Sequence, residues 1–268
     1  MDFSKIKMVV SDMDGTLLNS KHEVSSQFFR LFYELQKRNI LFVAASGRQY
    51  NSIVDKLHPI KDDIIIIAEN GGFAKHRNEE LLATPLPTKH TTTVLDILEQ
   101  IEGAYPVLCS KYNAFVTNKS PEFVAKLREY YSAFEIVNAL SDFDGEIMKI
   151  ATYHFDSSEK FLYPAVQQFE TELKVKISGE NWMDISDINA HKGFALQKIQ
   201  KLHGILPEET MVFGDYNNDL EMLAQGHFSF AMENAHPNVL QVANYRTSSN
   251  DAFGVERVLE NLIARTTN

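Results

Sequence analysis

Four polar clusters in this chain hold side chains able to do chemistry, and each follows an apolar strand or helix signal. The first is Asp12 and Asp14 in Ser11-Asp12-Met13-Asp14-Gly15-Thr16-Leu17-Leu18, directly after the apolar run 6–10. Side chains two apart in an extended segment point the same way, so both carboxylates can work around one centre, and Gly15 lets the chain turn away. One acid could attack and the other move protons, with a cation offsetting their mutual repulsion. The other clusters are Ser46-Gly47-Arg48, Lys192, and Asp215 with Asn218 and Asp219. If the four converge, they supply what a phosphoryl group needs: a nucleophile, a cation for its oxygens, neutral donors and a proton carrier. The two acidic clusters suit Mg²⁺, which takes a few carboxylates plus water and phosphate oxygens. Ser46 and nearby backbone N–H groups can donate to phosphate, and Lys192 adds a point charge.

The elements that must position these residues alternate in the first third of the chain. The run 6–10 reads as a buried strand. Ser25 or Ser26 can cap a helix with an apolar face of Phe28, Leu31, Phe32 and Leu35, closed by Asn39 in the left-handed conformation. Runs 40–45 and 64–68 read as further strands, with Tyr50, Ile53, Val54 and Leu57 at helical spacing between them. This order implies right-handed crossovers and a parallel sheet, whose ligands bind beyond the carboxyl ends of the strands. The prolines of Ala83-Thr84-Pro85-Leu86-Pro87-Thr88 suggest a linker. From 89 to 187 the strands look half-buried (114–117, 147–155 and 175–178), with helical stretches at 92–101, 121–131 and 159–173. That texture favours an antiparallel sheet covered on one face. The core pattern resumes with a helix over 191–203, whose inward residues are Phe194, Ala195, Ile199 and Leu202. A strand over 210–213, a helix through Ala224, a segment 227–232 and a last helix over 255–263 complete it.

The fold class expected is α/β, a doubly wound parallel-sheet core over 1–84 and 188–268 with an inserted α/β domain over 85–187. A chain of 268 residues with 44% hydrophobic and 23% charged residues has ordinary globular composition. A formal net charge of -10 without a basic block argues against general nucleic-acid binding. The single cysteine, Cys109, excludes an intrachain disulfide and a cysteine-based structural zinc site, and it reads as a buried core thiol. No signal-peptide pattern or membrane-length apolar run is present, so the expectation is a cytoplasmic protein without membrane partners, monomeric or weakly homo-oligomeric.

Asp-x-Asp-Gly-Thr-Leu-Leu, Ser-Gly-Arg, Lys-Gly-x-Ala-Leu and Gly-Asp-x-x-Asn-Asp-x-x-Met, in that order over 12–222, resemble the haloacid dehalogenase-like phosphatases, in particular the Cof-type branch. The resemblance implies a HAD-like Rossmannoid core and a small phosphorylated metabolite, a sugar phosphate or phosphorylated cofactor, as substrate. It implies that Asp12 becomes an aspartyl-phosphate and that Asp14 is the general acid and then the base. Mg²⁺ would be held by Asp12, the Asp14 backbone carbonyl and Asp215, with Asp219 ligating or supporting from behind. Ser46, Gly47 and Lys192 would bind the phosphoryl group, and Asn218 would donate to phosphate or order its loop. The family commonly has Thr where Ser46 stands, which keeps the hydroxyl, and Ala is frequent where Gly72 stands.

One helix and one strand consume the stretch between Asp14 and Ser46, whereas ample chain separates Arg48 from Lys192. That placement resembles the family's second cap position, and the mixed texture resembles its subclass B; such a cap would exclude water and contact the leaving group. Two rival readings share these residues: a phosphotransferase such as a sugar-phosphate mutase, and a non-enzymatic phospho-ligand sensor. Arg48 reads as a structural ion-pair residue, Asn70 as a turn residue, and His191 as a helix-start residue. His154 and Trp182 read as core or surface, Tyr130-Tyr131 and Phe28-Phe29 as packing, and Glu79-Glu80 as a solvated loop edge.

Overall fold

The computed structural model describes residues 2–117, 120–131 and 133–265. They form two units: one takes the chain up to Gly47, Ile53–Leu82 and the chain from His191 on, and the other takes Arg48–Ser52 and Ala83–Ala190.

The first unit is built on strand β1, Met8–Asp12, buried along its whole length. A wholly buried strand of this kind needs cover on both faces. Helix α1, Ser26–Lys37, provides part of it, burying Phe28, Phe32 and Leu35. Ser25 caps α1 by accepting from the Phe28 N–H, and Asn39 follows it at φ 54. Strand β2, Leu41–Ala45, pairs parallel with β1, and after α2, Tyr50–Lys56, strand β3, Ile65–Ala68, pairs parallel with β2. Two strands then extend the sheet: β4, Phe73–His76, antiparallel to β3, and β5, Glu79–Ala83, at the edge, where Glu79-Glu80 was expected to be a solvated loop edge. An edge strand exposed at Glu79 and Glu80 lacks the burial alternation by which strands are read.

The second unit begins with α3, Thr88–Leu98, then β6, Ala104–Cys109, and β7, Ala114–Val116. Helix α4, Pro121–Tyr130, β8, Phe134–Ile136, and β9, Lys149–His154, follow. The expected helix over 159–173 is broken into α5, Ser158–Phe161, α6, Tyr163–Val166, and a 3₁₀ stretch, Gln167–Thr171. Pro164, in the first turn of α6, has no N–H to continue the ladder of α5. Strands β10, Leu173–Ile177, and β11, Trp182–Asp187, complete a six-stranded sheet in the order β10-β11-β9-β6-β7-β8. It is antiparallel except for β7 and β8.

Both faces of this sheet carry a core, rather than the one expected. Val94, Leu98, Leu162 and Val166 of α3, α5–α6 and their junction pack with Leu108, Ile150 and Ile185. Phe123 and Leu127, four apart on α4, pack with Val107, Cys109 and Tyr153 on the other side. Cys109 is fully buried against the Tyr131 hydroxyl. Trp182 packs on Tyr153, and His154 stacks on Phe161 while accepting from the Asp156 and Ser157 N–H groups, so both belong to the unit's packing.

The chain returns to the first unit with α7, Lys192–His203, β12, Thr210–Gly214, and α8, Leu220–Leu223. Strand β13, Phe228–Ala231, helix α9, Pro237–Val242, strand β14, Tyr245–Arg246, and helix α10, Gly254–Arg265, finish it. The eight-stranded order is β14-β13-β12-β1-β2-β3-β4-β5, parallel from β14 to β3. Leu202 of α7 is exposed rather than inward, and Leu196 and Gln200 take the buried face. Among the described residues no helix is long and apolar enough to cross a membrane.

Candidate active site

Strand β1 lies between β12 and β2 and runs parallel to both, so the carboxyl ends of the three strands open at one edge. Asp12 is the last residue of β1 and pairs in register with Ala45, which Ser46 follows; Asp215 follows Gly214, the last residue of β12. The sequence thus brings three of its four clusters to this edge through parallel pairing alone. The turn after Asp12 is held by the Leu18 N–H donating to Met13 O at 2.8 Å. Gly15 sits at φ +76, and a Cβ there would lie 2.2 Å from Asp215 Oδ2. The Thr16 hydroxyl donates to Asp215 Oδ1 at 3.2 Å. Gly15 and Thr16 therefore position Asp215: one leaves space for its carboxylate and the other hydrogen-bonds to it.

Lys192 opens α7, with a side chain wholly withdrawn from solvent. Its Nζ donates to Asp12 Oδ1 at 2.5 Å and to Asp219 Oδ1 at 2.7 Å. Asp219 Oδ2 accepts the backbone N–H groups of Asp215, at 3.0 Å, and Tyr216, at 3.2 Å. His191 caps α7, its Nδ1 accepting from the Phe194 N–H. Gly193 lets α7 approach α8, since a Cβ there would lie 2.5 Å from the Glu221 carbonyl oxygen.

Carboxylate oxygens of Asp12, Asp215 and Asp219 lie within 4.8 Å of one another, and Asp14 adds none to this cluster. Burial pushes the Asp12 carboxyl well above the usual carboxylate range; Asp219 adds to the effect and Lys192 draws it back. Asp215 is pushed up to about 6, first by burial and then by Asp219. For Lys192 burial works against the charge, but Asp12 and Asp219 together hold the ammonium above its ordinary value. Three acids against one lysine leave an excess of negative charge in a withdrawn site. An oxygen-only donor set of this kind fits a hard divalent cation.

The Ser46 N–H donates to Ile67 O and the Ser46 carbonyl accepts from the Asn70 N–H. Asn70 stands at φ 54, and its Oδ1 accepts from Asn218 Nδ2 at 3.0 Å. A Cβ at Gly47 would lie 2.9 Å from Asn70 Oδ1. Asn70 is therefore both a turn residue and the link between Ser46-Gly47 and Asn218. Arg48 donates to Ser52 Oγ at 3.3 Å.

Asp14 stands apart from the carboxylate cluster, half-exposed, with His22 Nδ1 at 3.3 Å from its Oδ1. His22, Thr16 and the linking role of Asn70 were not read from the sequence. Thr16 lay inside a motif already singled out. His22 and the Asn70–Asn218 pair carry no spacing signal that ties them to their partners.

The family model described as haloacid dehalogenase-like hydrolase matches residues 9–259. The chain is 31% identical over 261 residues, 96% of each chain, to 5-amino-6-(5-phospho-D-ribitylamino)uracil phosphatase YbjI of Escherichia coli (strain K12). It is 25% identical over 276 residues, 96% of this chain and 97% of the other, to 5-amino-6-(5-phospho-D-ribitylamino)uracil phosphatase YitU of Bacillus subtilis (strain 168). Among solved structures, SMU.1108c from Streptococcus mutans UA159 is similar at a TM-score of 0.85 and 30% identity, over 97% of this chain and 99% of that one. With nearly its whole length matched, and with its acidic clusters gathered at the carboxyl edge of a parallel sheet, the chain belongs to the haloacid dehalogenase-like hydrolases.

Proposed function

We propose that this hydrolase removes phosphate from small phosphorylated metabolites through a covalent intermediate on Asp12, with Mg²⁺ in the acidic cluster. The observation that carries this reading is the Asp12 carboxylate at the end of β1, held by a buried lysine and faced by a second acidic cluster. An Asp12 oxygen attacks phosphorus as the ester P–O bond breaks, and Asp14 gives its proton to the departing oxygen. Water then attacks the aspartyl-phosphate while Asp14 takes its proton, releasing phosphate and restoring Asp12. Ser46, Gly47 and Asn218 hold the phosphoryl oxygens. Lys192 has one N–H beyond the two given to Asp12 and Asp219, and this can go to a phosphoryl oxygen.

Mg²⁺, when bound, offsets the charge on the phosphoryl oxygens. Asp12, Asp215 and the Asp14 backbone carbonyl would hold it. Asp219 is engaged by Lys192 on one oxygen and by two N–H groups on the other, which favours a supporting place for it. We assign the choice of leaving group to the inserted segment 85–187. The similarity to two phosphatases of 5-amino-6-(5-phospho-D-ribitylamino)uracil makes that compound the first member of the substrate panel.

The test is phosphate release from such a panel and from p-nitrophenyl phosphate. Asp12→Asn should abolish turnover and leave the circular dichroism unchanged. EDTA should abolish turnover and Mg²⁺ restore it. Near-normal activity of Asp12→Asn, or turnover indifferent to EDTA, would reject the mechanism.

A further inference from the structure

The first unit contains a cavity of about 670 Å³ that shares no residue with the cluster around Asp12. It is lined by Arg246, Arg257 and Arg265, with Glu233 the one acidic residue among the described residues that line it. The chain has eight arginines and a net charge of -10, so three arginines around one hollow is a local reversal of sign. Arg257, Asn261 and Arg265 stand four apart on α10 and so share one face of it. Arg246 comes from β14, at the edge of the eight-stranded sheet.

Two of the guanidinium groups are fixed by the protein. Arg257 Nε donates to Ala252 O at 2.9 Å, and the Arg265 guanidinium lies over the Phe3 ring at 5.8 Å. The terminal nitrogens of Arg257 and the whole guanidinium of Arg246 have no protein hydrogen bond or ion pair among the described residues. Glu233 Oε2 accepts from the Ser249 N–H, and its single negative charge leaves the three guanidinium groups in excess. The apolar floor that a ligand can reach is half-buried Leu240 with Val258, while Phe3 and Phe230 also line the cavity but are almost wholly withdrawn from solvent. A concavity of this volume, apolar beneath and with convergent polar groups above, has the anatomy of a small-molecule site. Planar guanidinium groups bind phosphate oxygens in pairs.

We propose that this cavity is a second binding site, for a small organic phosphate whose apolar part rests on the Leu240–Val258 floor. The probe is phenylphosphonate, which joins a phosphate-like dianion to an aromatic ring and has no ester bond to hydrolyse. It is titrated into the full chain in EDTA while backbone and side-chain amide resonances are followed. Saturable shifts are expected at Arg246, Thr247 and the Asn261 side chain, apart from any at Asp12 or Asp215. In Arg246→Gln/Arg257→Gln the midpoint of those shifts should weaken about tenfold or more. The kcat and KM for p-nitrophenyl phosphate with Mg²⁺ should not change. Inorganic phosphate should bind the same site more weakly than phenylphosphonate.

Shifts confined to the Asp12 cluster, or an unchanged midpoint in the double variant, would overturn the proposal. Inorganic phosphate binding as tightly as phenylphosphonate would overturn the role given to the apolar floor. Arg246→Lys is measured alongside, so that a folding failure of the double variant, seen by circular dichroism, leaves the question decided. It keeps the charge and removes the planar fork, and binding as tight as that of the unaltered chain would count against arginine recognition of phosphate.

Discussion

Lys192 carries more of the site than a phosphate-binding lysine need do. It lies between Asp12 and Asp219, and Asp219 in turn holds the backbone of Asp215 and Tyr216. Removing one partner of a buried charge network leaves the others uncompensated. Lys192→Met should therefore lower unfolding stability by about 3–5 kcal/mol, read from urea denaturation, as well as abolishing turnover. A loss within the few tenths expected of a surface substitution would mean that the two ion pairs contribute little. Most of these residues were legible, because each sits in a short motif at the end of an apolar run. Their partners were not: the Asn70–Asn218 bond spans 148 positions, and His22 reaches Asp14 through its own left-handed turn at φ 58.

The elements around the site depend on capping groups with more than one duty. Ser25 Oγ accepts from the Phe28 N–H at the start of α1 and donates to Glu256 Oε1 of α10 at 2.5 Å. Ser25→Ala removes a cap, at about 1 kcal/mol, and leaves a buried carboxylate without its donor, at about 1–3 kcal/mol. Thermal unfolding should show a loss larger than a cap alone explains. Burial raises the Glu256 carboxyl above its ordinary value, and the Ser25 hydrogen bond offsets part of the rise. A raised carboxyl favours the folded state while protonated, and that contribution is lost as pH rises through the folded pKa. Glu256→Gln keeps an acceptor for Ser25 and cannot ionise. It should gain on the unaltered chain as pH rises from 4 to 8; a gap that stays constant in a pH series of melting curves would reject this account.

The elements read correctly were most of the long periodic helices and the buried strands of the parallel sheet; the helix expected over 159–173 is the exception. Those missed had weak local signals. β6 contains Pro106 in its interior, β11 mixes Asp184 and Ser186 among apolar residues, and β5 lies on an open edge. Their places are set by neighbouring strands and not by their own composition.

At the scale of the molecule, the excess of acid around Asp12 makes the ligand-free state sensitive to pH. The Asp215 carboxyl stands at about 6, so stability falls as pH rises through that value and the group ionises. The proposed Mg²⁺ site competes with that proton, so its apparent affinity should rise between pH 5 and 7.5. At a Mg²⁺ concentration of about 100 times Kd, binding adds about 2.7 kcal/mol to stability. Differential scanning fluorimetry with and without Mg²⁺ should therefore give a larger shift in Tm at pH 7.5 than at pH 5. Equal shifts at the two values would separate Asp215 from the metal. The insertion itself was legible from the length of chain between Arg48 and Lys192, because a helix and a strand leave most of it unaccounted for.

The Lys192–Asp12 contact joins positions 180 apart, with the whole of the second unit between them. During synthesis β1 emerges among the first segments, but β12, its partner on one side, begins only at Thr210. Until then the strand bearing Asp12 has an open edge, and until α7 is made Asp12 has no lysine. The second unit is nearly continuous in sequence and can complete its sheet while the first waits, since domains fold as units during translation. A chain stalled before His191 should present a protease-resistant inserted unit beside a susceptible N-terminal segment. Asp12 is thus among the first site residues to be made, and its surroundings are complete only after the ribosome has passed Asp219.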